Sequence, residues 1–464
     1  MNKMKTYTLG ELALDGNSGM ADGPFGSNLR AAEYQPSGIP IIRGSNLSIG
    51  TDELKEHEYV FITREKADKL VRSRVVAGDI VFTKKGTLGQ TGYINSNSKY
   101  TEYNLSSNQL KMTPDSDKVN GKYLYILLSS KRTVQRIISE SEATGVPKIN
   151  LAYLRSFSVK LPDLETQNKA EHILSSLDDK IHLLRQQNAT LESMAQALFK
   201  SWFVDFDPVI DNALGAGRVL PEALGVRVAL RGAVLAGGAY SGLPEEVKGL
   251  FPGSFVFSEE LGKWVPEGWE VKAASDIATI NIGKTPPRKE QHWFSPVKNV
   301  GDVVWVSIRD LGKEDVYVDD SSEYLTAESI ERYNVRKAPA GSVLLSFKMT
   351  LGRVAITTTE LTTNEAIAHF STLGFGVTKE FLYLSLKNYN YDQLGSTSSI
   401  ATAINSKIVK SMPLLVPSER ASNAFQQKSS CFFTALKNNE SEIQTLTRLR
   451  DVLLPELISG RLGV

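Results

Sequence analysis

Residues 78–94 read GDIVFTKKGTLGQTGYI, and residues 341–357 read GSVLLSFKMTLGRVAIT. In register, the two stretches share their first glycine and a Lys-x-Thr-Leu-Gly element, at an offset of 263 residues. Each opens with a short apolar run after glycine, which predicts a strand, and Thr-Leu-Gly then predicts a turn. Such a strand and turn occurring twice is a first sign of internal duplication.

Two further pairs of segments repeat in the same order. They are YLYILLSSK at 123–131 with FLYLSLKNY at 381–389, and INLAYLRSFSVKLP at 149–162 with INSKIVKSMPLLVP at 404–417. Their offsets, 258 and 255 residues, differ little from the first, as unequal loop lengths would produce. Chance explains one pair more easily than three collinear ones, so we predict two copies of one domain. Residues 122–139 have helical spacing of apolar side chains, so each copy is α+β without regular strand–helix alternation.

Each copy is followed by a long amphipathic helix. The first is predicted from Glu165 to Phe206 without internal proline or glycine, and in the second Pro455 bends or ends the helix. Both carry a seam with heptad spacing, and Asn188 and Asn439 are polar members of it. The seam positions are Leu177, Ile181, Leu184, Asn188, Leu191 and Leu198 in the first helix, and Leu436, Asn439, Ile443, Leu446 and Leu453 in the second.

A single apolar stripe must be buried, because helical propensity alone rarely stabilises a helix in water. We predict that the two helices form an antiparallel coiled coil within the chain, which separates the two domains and relates them by pseudo-twofold symmetry. A helix of about 40 residues spans roughly 60 Å, which suits two half-sites of duplex DNA one turn apart, about 34–36 Å. The alternatives are helices that each lie on their own domain, or pairing between chains.

The predicted organisation is a first domain at 1–164, a long helix at 165–206, a connector at 207–262, a second domain at 263–418 and a second long helix at 419–464. The connector is rich in Gly, Ala, Pro and Leu and has a net charge of −3, which indicates a partly ordered bridge. The run KWVPEGWEV, which starts at residue 263, is expected to begin the second copy.

Composition limits the class of protein. The 464 residues include 53 Lys and Arg against 52 Asp and Glu, so a strongly basic DNA-coating protein is excluded. Residues 1–165 have a net charge of +4 and residues 263–418 of zero, so charge supports DNA binding only weakly. One cysteine excludes a disulfide framework. We expect a cytoplasmic protein, since no targeting signal is recognisable and the most apolar stretch is too short for a bilayer.

No catalytic constellation is recognisable. The five histidines are scattered, and no metal site is predicted. The GKT of residues 283–285 lacks the earlier glycine of a P-loop, and no G-x-G-x-x-G follows a strand. These observations favour a binding protein over an enzyme. A self-contained DNA-modifying enzyme and a coiled-coil scaffold without DNA contact remain as alternatives.

Six segments resemble one family, the specificity subunits of type I restriction-modification systems. DGPFGSNLR at 22–30 and GIPIIRGSNL at 38–47 are similar to the start of their target-recognition domains. The segments similar to their shared regions are LSSLDDKI at 174–181, MAQALFKSWFVDFDPV at 194–209, VPEGWEV at 265–271 and RLRDVLLPELISGRL at 448–462. The resemblance extends over essentially the whole chain.

The resemblance implies a division of labour. Each of two target-recognition domains would read one half of an interrupted target in double-stranded DNA, while the paired helices set the gap and dock two modification subunits. The chain itself would bind no cofactor and carry no catalytic residue. S-adenosylmethionine would be bound by the modification subunits, and ATP and Mg would serve the restriction subunits that translocate and cut DNA.

Candidate DNA-contacting residues lie in predicted loops and have side chains that suit guanine, adenine or phosphate. They are, in the first copy, Ser27, Asn28, Arg30, Arg43, Ser45, Asn46, Lys84, Lys85, Thr87, Gln90, Lys148 and Asn150 and, in the second, Lys284, Arg288, Lys289, Arg309, Lys348, Thr350, Arg353, Thr402 and Asn405. The shared Lys-x-Thr-Leu-Gly element is equally consistent with a turn that makes the fold. Gln90 and Arg353 differ between the copies, as base readers should. Asn150 and Asn405 would cap a helix or contact the DNA backbone.

Overall fold

A computed structural model of the chain describes residues 4–15, 19–50, 53–141, 148–237, 243–312, 316–394 and 404–460. The chain forms two compact units, of which the first comprises Met1–Ile181 with Thr445–Val464 and the second comprises His182–Gln444. No described helix is both long and apolar enough to cross a membrane.

The described residues of the first unit form three small sheets. Its strands are β1 (Lys5–Thr8), β2 (Met20–Asp22), β3 (Ile39–Ile42), β4 (Val60–Ile62), β5 (Arg74–Val76), β6 (Ile80–Thr83), β7 (Thr91–Tyr93), β8 (Glu102–Leu105), β9 (Gln109–Met112) and β10 (Ser158–Leu161). The strand orders are β2-β9-β6-β7, β4-β3-β8-β5 and β1-β10. Because β1 and β10 lie at the two ends of the copy and pair antiparallel, they close the domain.

Within the part of this unit that the structure describes, five short α-helices cover these sheets. They are α1 (Leu9–Leu12), α2 (Arg64–Lys69), α3 (Gly121–Ser129), α4 (Lys131–Ser141) and α5 (Leu151–Ser156). The main core packs α1 and α3 against strands β6 and β9, with Leu9, Leu12, Tyr123 and Leu124 fully buried. The capping box at Thr8 explains where α1 begins, since the Thr8 hydroxyl accepts the Glu11 N–H and Glu11 accepts the Thr8 N–H. The first long helix, α6 (Leu164–Phe199), follows β10.

The second unit repeats this topology. Its strands are β11 (Phe255–Ser258), β12 (Lys263–Pro266), β13 (Glu270–Ala273), β14 (Thr279–Ile282), β15 (Phe294–Ser295), β16 (Val303–Val306), β17 (Tyr317–Val318), β18 (Tyr324–Leu325), β19 (Lys337–Ala338), β20 (Val343–Ser346), β21 (Val354–Thr357), β22 (Leu361–Thr363), β23 (Ile367–Ser371) and β24 (Pro413–Val416). Its helices are α7 (Asp207–Gly215), α8 (Gly225–Ala236), α9 (Glu245–Lys248), α10 (Ala274–Ile277), α11 (Ala327–Tyr333), α12 (Lys379–Lys387), α13 (Ser406–Lys410) and the second long helix, α14 (Glu419–Ile458).

The sheet orders confirm the duplication. The orders β14-β23-β20-β21-β17 and β15-β18-β16-β22-β19 contain, strand for strand, the two four-stranded sheets of the first unit. The pair β13-β24 corresponds to β1-β10 and closes the second copy in the same way. The fold is therefore α+β with two similar strand-rich domains, as the sequence predicted. The topological start of the second copy is β13, and the predicted boundary at residue 263 falls inside the β11–β12 hairpin that precedes it.

The long helices pair antiparallel within each unit. In the second unit the Asn439 amide donates to Asn188 Oδ1 at 2.9 Å, and in the first unit Arg450 Nη1 lies 3.0 Å from Asp178 Oδ1. Residue numbers thus rise along α6 as they fall along α14. Of the predicted seam, Ile181, Leu184 and Leu436 are buried. The half-buried seam residues are Leu177, Asn188, Leu191, Leu198, Asn439, Ile443, Leu446 and Leu453.

The predicted helix ends differ in two respects. The α-helix α6 ends at Phe199, and a π-helical turn, Lys200–Val204, follows it directly. The sequence had predicted one uninterrupted helix to Phe206. Phe206 has φ +57°, a left-handed backbone that terminates the helix, and its buried ring packs with Trp269. In α14 Pro455 lies inside the last turn, where the helix runs on to Ile458.

The connector, predicted to be a partly ordered bridge, contains two α-helices that pack against each other. Helix α8 is tied to α7 by two bidentate ion pairs, Arg227 with Asp207 and Arg231 with Asp211. Ahead of α7, the π-helical turn brings Trp202 and Phe203 into an edge-to-face aromatic cluster with Phe425, which anchors it in the core of the second unit.

Candidate DNA interface

The strand registers of the first unit bring four connections to one end of its sheets. Thr83 pairs with Gln109, Asp22 pairs with Leu110, and Ile42 pairs with Leu105 in the parallel β3–β8 ladder. The segments that follow β2, β3, β6 and β8 therefore leave the sheets at the same end, which we call the loop end. The loop end of the second unit is formed by the equivalent segments after β14, β16, β20 and β22.

Side-chain contacts hold the loop end of the first unit together. Lys84 Nζ lies 2.8 Å from Asp22 Oδ1, which joins the segments after β2 and β6. The Gln90 amide donates to the Leu47 carbonyl at 3.3 Å and accepts from the Thr83 hydroxyl at 3.2 Å. These contacts hold the β6–β7 loop against the segments after β2 and β3.

The exposed candidates form a polar surface on this frame. Lys85 and Lys148 are joined by an isolated β-bridge, so two lysines lie side by side. Thr87 is exposed two residues beyond Lys85 in the same loop. The remaining exposed candidates are Ser27, Asn28, Arg30 and Ser45. Lysine pairs of this kind suit phosphate contacts, and the hydroxyl and amide groups suit base edges.

Besides Lys84 and Gln90, three further candidates of the first unit have structural roles. Asn46 is fully buried, its oxygen accepts the Arg43 N–H, and its amide donates to the carbonyls of Lys55 and His57 at 3.2 and 2.8 Å. It is therefore not available to a base. Arg43 is half-buried and donates to the Glu58 carbonyl. Asn150 is exposed, but it caps α5 by accepting the Tyr153 N–H, which favours the capping interpretation.

The final glycine of the shared Lys-x-Thr-Leu-Gly element makes a turn, which is one of the two roles that its sequence left open. Its final glycine has φ +85° in each copy, at Gly89 and at Gly352, which is a conformation that glycine adopts without strain. A Cβ on Gly89 would lie 2.5 Å from Val134 Cγ1, so this position makes the turn. The lysine and threonine of the element point outward instead, since both are exposed in each copy.

The loop end of the second unit presents a comparable set. Lys284, Lys289, Arg309, Lys348 and Thr350 are exposed. Arg353 is half-buried, and its guanidinium donates to the Ile308 carbonyl at 2.7 Å, which fixes the β20–β21 loop against the segment after β16. Asn405 caps α13 by accepting the N–H groups of Lys407 and Ile408. Thr402 lies outside the described residues.

Arg288 is exposed, but it pairs with a carboxylate of the same unit. Its guanidinium forms two hydrogen bonds of 2.8 Å with Glu323, and this carboxylate raises the Arg288 pKa. The same group lies 4.1 Å from the centre of the Phe294 ring and 4.5 Å from that of Trp305. Its charge is therefore neutralised and its position fixed, so a role in positioning the loop suits it better than contact with a phosphate.

Sequence reasoning missed the apolar side chains at the loop ends. Phe25 is 77% exposed in the segment after β2, and Met349 is 97% exposed in the β20–β21 loop. The signal at Met349 was visible in the repeat, because Gly86 occupies the same position in the first copy. Across the described ranges, no group of His, Cys, Asp or Glu side chains could hold a metal ion.

Known proteins resemble the chain over most of its length. It matches the family described as "Type I restriction modification DNA specificity domain" at residues 3–193 and again at 266–451. It is 31% identical over 419 residues to the type I restriction enzyme HindI specificity subunit of Haemophilus influenzae, covering 84% of this chain and 88% of that protein. It is 24% identical over 450 residues to the MjaIX specificity subunit of Methanocaldococcus jannaschii, covering 93% and 88%.

A solved structure shares the fold. The crystal structure of the type I restriction-modification system S subunit from M. genitalium aligns with a TM-score of 0.53 at 12% sequence identity, covering 98% of this chain and 96% of that one. Two matches of one family description to one chain agree with the duplicated strand orders.

Proposed function

Since the chain belongs to the family of type I restriction-modification specificity subunits, we propose that each of its units reads one half of a bipartite DNA target. The loop end of each unit is the reading surface in this proposal. Lys85 and Lys148 in the first unit, and Lys284 and Lys348 in the second, would contact phosphates. The exposed hydroxyl, amide and apolar groups beside them would contact base edges.

The observation that carries this proposal is the repeated topology with different loops. The strand order is repeated in each copy, while the exposed residues at the two loop ends differ in identity apart from the shared lysine and threonine of the Lys-x-Thr-Leu-Gly element. Two similar domains with different surfaces suit a target with two unlike halves. Binding residues commonly lie on variable loops that a rigid scaffold positions, and the two units have this arrangement.

We further propose that the paired long helices set the gap between the half-sites and dock two modification subunits. The helix α6 has 36 residues and α14 has 40, so α6 alone extends about 54 Å at a rise of 1.5 Å per residue. The Asn188–Asn439 hydrogen bond would fix the register of this spacer, because a polar pair in an apolar seam tolerates few alternative alignments.

Catalysis would reside on the partner subunits, as the family resemblance implies. We expect S-adenosylmethionine to be bound by the modification subunits, ATP and Mg to serve the restriction subunits, and this chain to bind no cofactor. The assembly would act on DNA in the cytoplasm. With net charges of +4 and zero for residues 1–165 and 263–418, we expect much of the affinity for DNA to come from the assembled complex, because phosphate-driven binding needs a strong basic surface.

A domain exchange tests the proposal. Residues 1–162, up to the end of β10 and its proline, are replaced by those of a family member with another target, with α6 and the second unit left intact. The variant is expressed with its modification subunits, and methylated sites in the host genome are sequenced. We expect one half of the methylated sequence to change while the other half and the gap are kept.

The reciprocal exchange is the control. Replacing residues 270–416, from β13 to β24, should change the other half and leave the first intact. A change of both halves in either chimaera, or of neither in two chimaeras that still assemble with the modification subunits, would refute the two-reader proposal.

A further inference from the structure

The β20–β21 loop holds an apolar side chain in water at a backbone position that disfavours it. Met349 is 97% exposed and has φ +60°. The Thr350 N–H donates to the Lys348 carbonyl at 2.8 Å, which closes a three-residue turn around Met349. Such turns with positive φ at the centre are uncommon and strained for residues that have a Cβ. The side chain thus gains no burial that would offset the strain.

The first copy shows what the fold itself requires here. Gly86 is the equivalent residue, has φ +114°, and a Cβ placed on it would meet no atom within 4 Å. Glycine adopts positive φ without strain. The turn therefore needs no side chain at its centre, and Met349 is not explained by packing or by backbone conformation.

Buried contacts hold the strained turn in place. Ser346 is fully buried, its hydroxyl donates to the Thr350 carbonyl at 2.5 Å and accepts the Arg353 N–H at 3.0 Å. The Gly352 N–H donates to the Ser346 carbonyl at 3.0 Å. These bonds anchor both ends of the turn to β20, so Met349 is presented on a rigid support between the exposed Lys348 and Thr350.

We propose that Met349 is a specificity-determining residue of the second unit, which contacts the C5-methyl group of a thymine in the major groove. This inference rests on the proposed function and names one contact within it. The thymine methyl is the apolar group that a base pair presents at the major-groove edge, whereas the other groups there are hydrogen-bond donors and acceptors. The thioether side chain of methionine is apolar and has no hydrogen-bond donor, so it suits contact with the thymine methyl group. Lys348 on one side would contact a phosphate and fix the loop in the groove.

Two variants separate recognition from folding. Met349→Gly removes the side chain and the strain, and Met349→Ala removes the side chain but keeps a Cβ at positive φ. Both should lose the preference for thymine at one position of the second half-site, while the first half-site stays unchanged. Met349→Gly should unfold at a temperature equal to or above that of the wild type, because glycine suits the backbone better.

Val300→Ala is the matched control. Val300 is also fully exposed, but it lies before β16, at the end of that strand opposite the loop end. Its replacement should leave both half-sites unchanged. If Val300→Ala altered recognition as Met349→Ala does, the effect would be one of general surface change and the proposal would fail.

Removal of the methyl group from DNA gives the direct test. The full chain is assembled with its modification subunits and titrated with target duplexes in which each thymine of the second half-site is replaced in turn by uracil. For the wild type, one position should lose about fourfold in affinity, the value of one buried methyl group. The same position should show no loss with Met349→Gly.

Each outcome bears on the inference. The inference would be overturned if uracil weakened DNA binding by the wild type and by Met349→Gly equally. It would also be overturned if the second half-site held no A·T pair, or if the Met349 variants kept an unchanged methylated sequence. Variants that lose affinity for every duplex while uracil has no effect would also overturn it. An assembled wild-type complex without a preferred target would instead refute the proposed function, because the Met349 test needs a defined methylated sequence.

Discussion

Lys111 and Asp79 form a buried ion pair toward the end of β6 that lies opposite the loop end of the first unit, and breaking it should loosen that unit. Lys111 Nζ lies 2.9 Å from Asp79 Oδ2, and the Asp79 side chain is 0% exposed while that of Lys111 is 8% exposed. Asp79 also accepts the Val76 N–H at 3.0 Å and the Thr113 hydroxyl. The pair joins β9 to the residue that precedes β6, so it fixes these two neighbouring strands, of which β6 leads into the loop end.

Replacing Lys111 by Met keeps an apolar side chain of similar length but leaves the Asp79 carboxylate with two neutral donors. Removal of one partner of a buried pair costs about 3–5 kcal/mol. Because the Val76 N–H and the Thr113 hydroxyl remain, we expect the lower end, about 3 kcal/mol. A second variant, Asp79→Ser with Lys111→Met, removes both charges. Ser342 occupies the place of Asp79 in the second copy, so we expect this double variant to regain most of the loss.

The assay is amide hydrogen exchange of the full chain, read by mass spectrometry on peptides that cover β6 and β9. A loss of about 3 kcal/mol corresponds to exchange that is roughly a hundredfold faster in these strands. Lys69→Met is the control, since Lys69 pairs with Glu65 on the exposed face of α2 and should change nothing measurable. Unchanged exchange in Lys111→Met, or equally fast exchange in the double variant, would refute this reasoning.

Two further predictions concern the helix seam and the core of the second unit. Asn439→Leu alone leaves the Asn188 amide unpaired and should lower the free energy of unfolding by about 1 kcal/mol. The double variant, Asn188→Leu with Asn439→Leu, should restore the stability. A double-mutant cycle measured by urea unfolding that showed no coupling between the two residues would contradict this prediction. Burial lowers the pKa of His369 to about 4, below the value near 6.5 of an unfolded histidine, so the unfolded state binds the proton first. The free energy of unfolding should fall by up to about 3 kcal/mol between pH 6.5 and pH 4, and a His369→Gln variant that kept this slope in urea titrations would show that another group is responsible.

The sequence predicted the repeated domain and the paired helices because both are written in local patterns. The Lys-x-Thr-Leu-Gly element marks the same turn in each copy, and Gly89 and Gly352 share φ +85° because a Cβ is disfavoured there. Asn188 and Asn439 were predicted as interruptions of two separate seams. Their direct hydrogen bond followed only from the antiparallel register.

Long-range pairings were out of reach of sequence patterns. Arg288 meets Glu323 across 35 residues, and the ladder position that holds Lys111 in the first copy holds His369 in the second. His369 bonds to the Thr363 hydroxyl at 2.6 Å rather than to a carboxylate. Strand register decides which of these side chains meet, and no local spacing encodes it.

The same register argument changes which candidates best suit base reading. Gln90 and Arg353 differ between the copies, and on the sequence alone this difference favoured them as residues that contact bases. Both side chains nevertheless donate to a backbone carbonyl of the segment after the equivalent strand, Leu47 for Gln90 and Ile308 for Arg353. The two different side chains therefore hold equivalent segments together in the two copies. A difference in residue type between the copies is not sufficient evidence that the residue contacts a base.

A reader must also be free of bracing contacts and lie at the tip of a braced loop. In the first copy this condition favours the exposed Lys85 and Thr87, and in the second it favours Lys348 and Thr350 with Met349 between them. The lysines and threonines are shared, so they suit contacts to a backbone that both half-sites possess. In the proposed function, the discriminating group in this loop would then be the residue that differs at the tip, glycine in one copy and methionine in the other. The hydrogen bonds of Gln90 and Arg353 hold the loop in place and would keep that residue in a defined position against DNA, as the proposal requires.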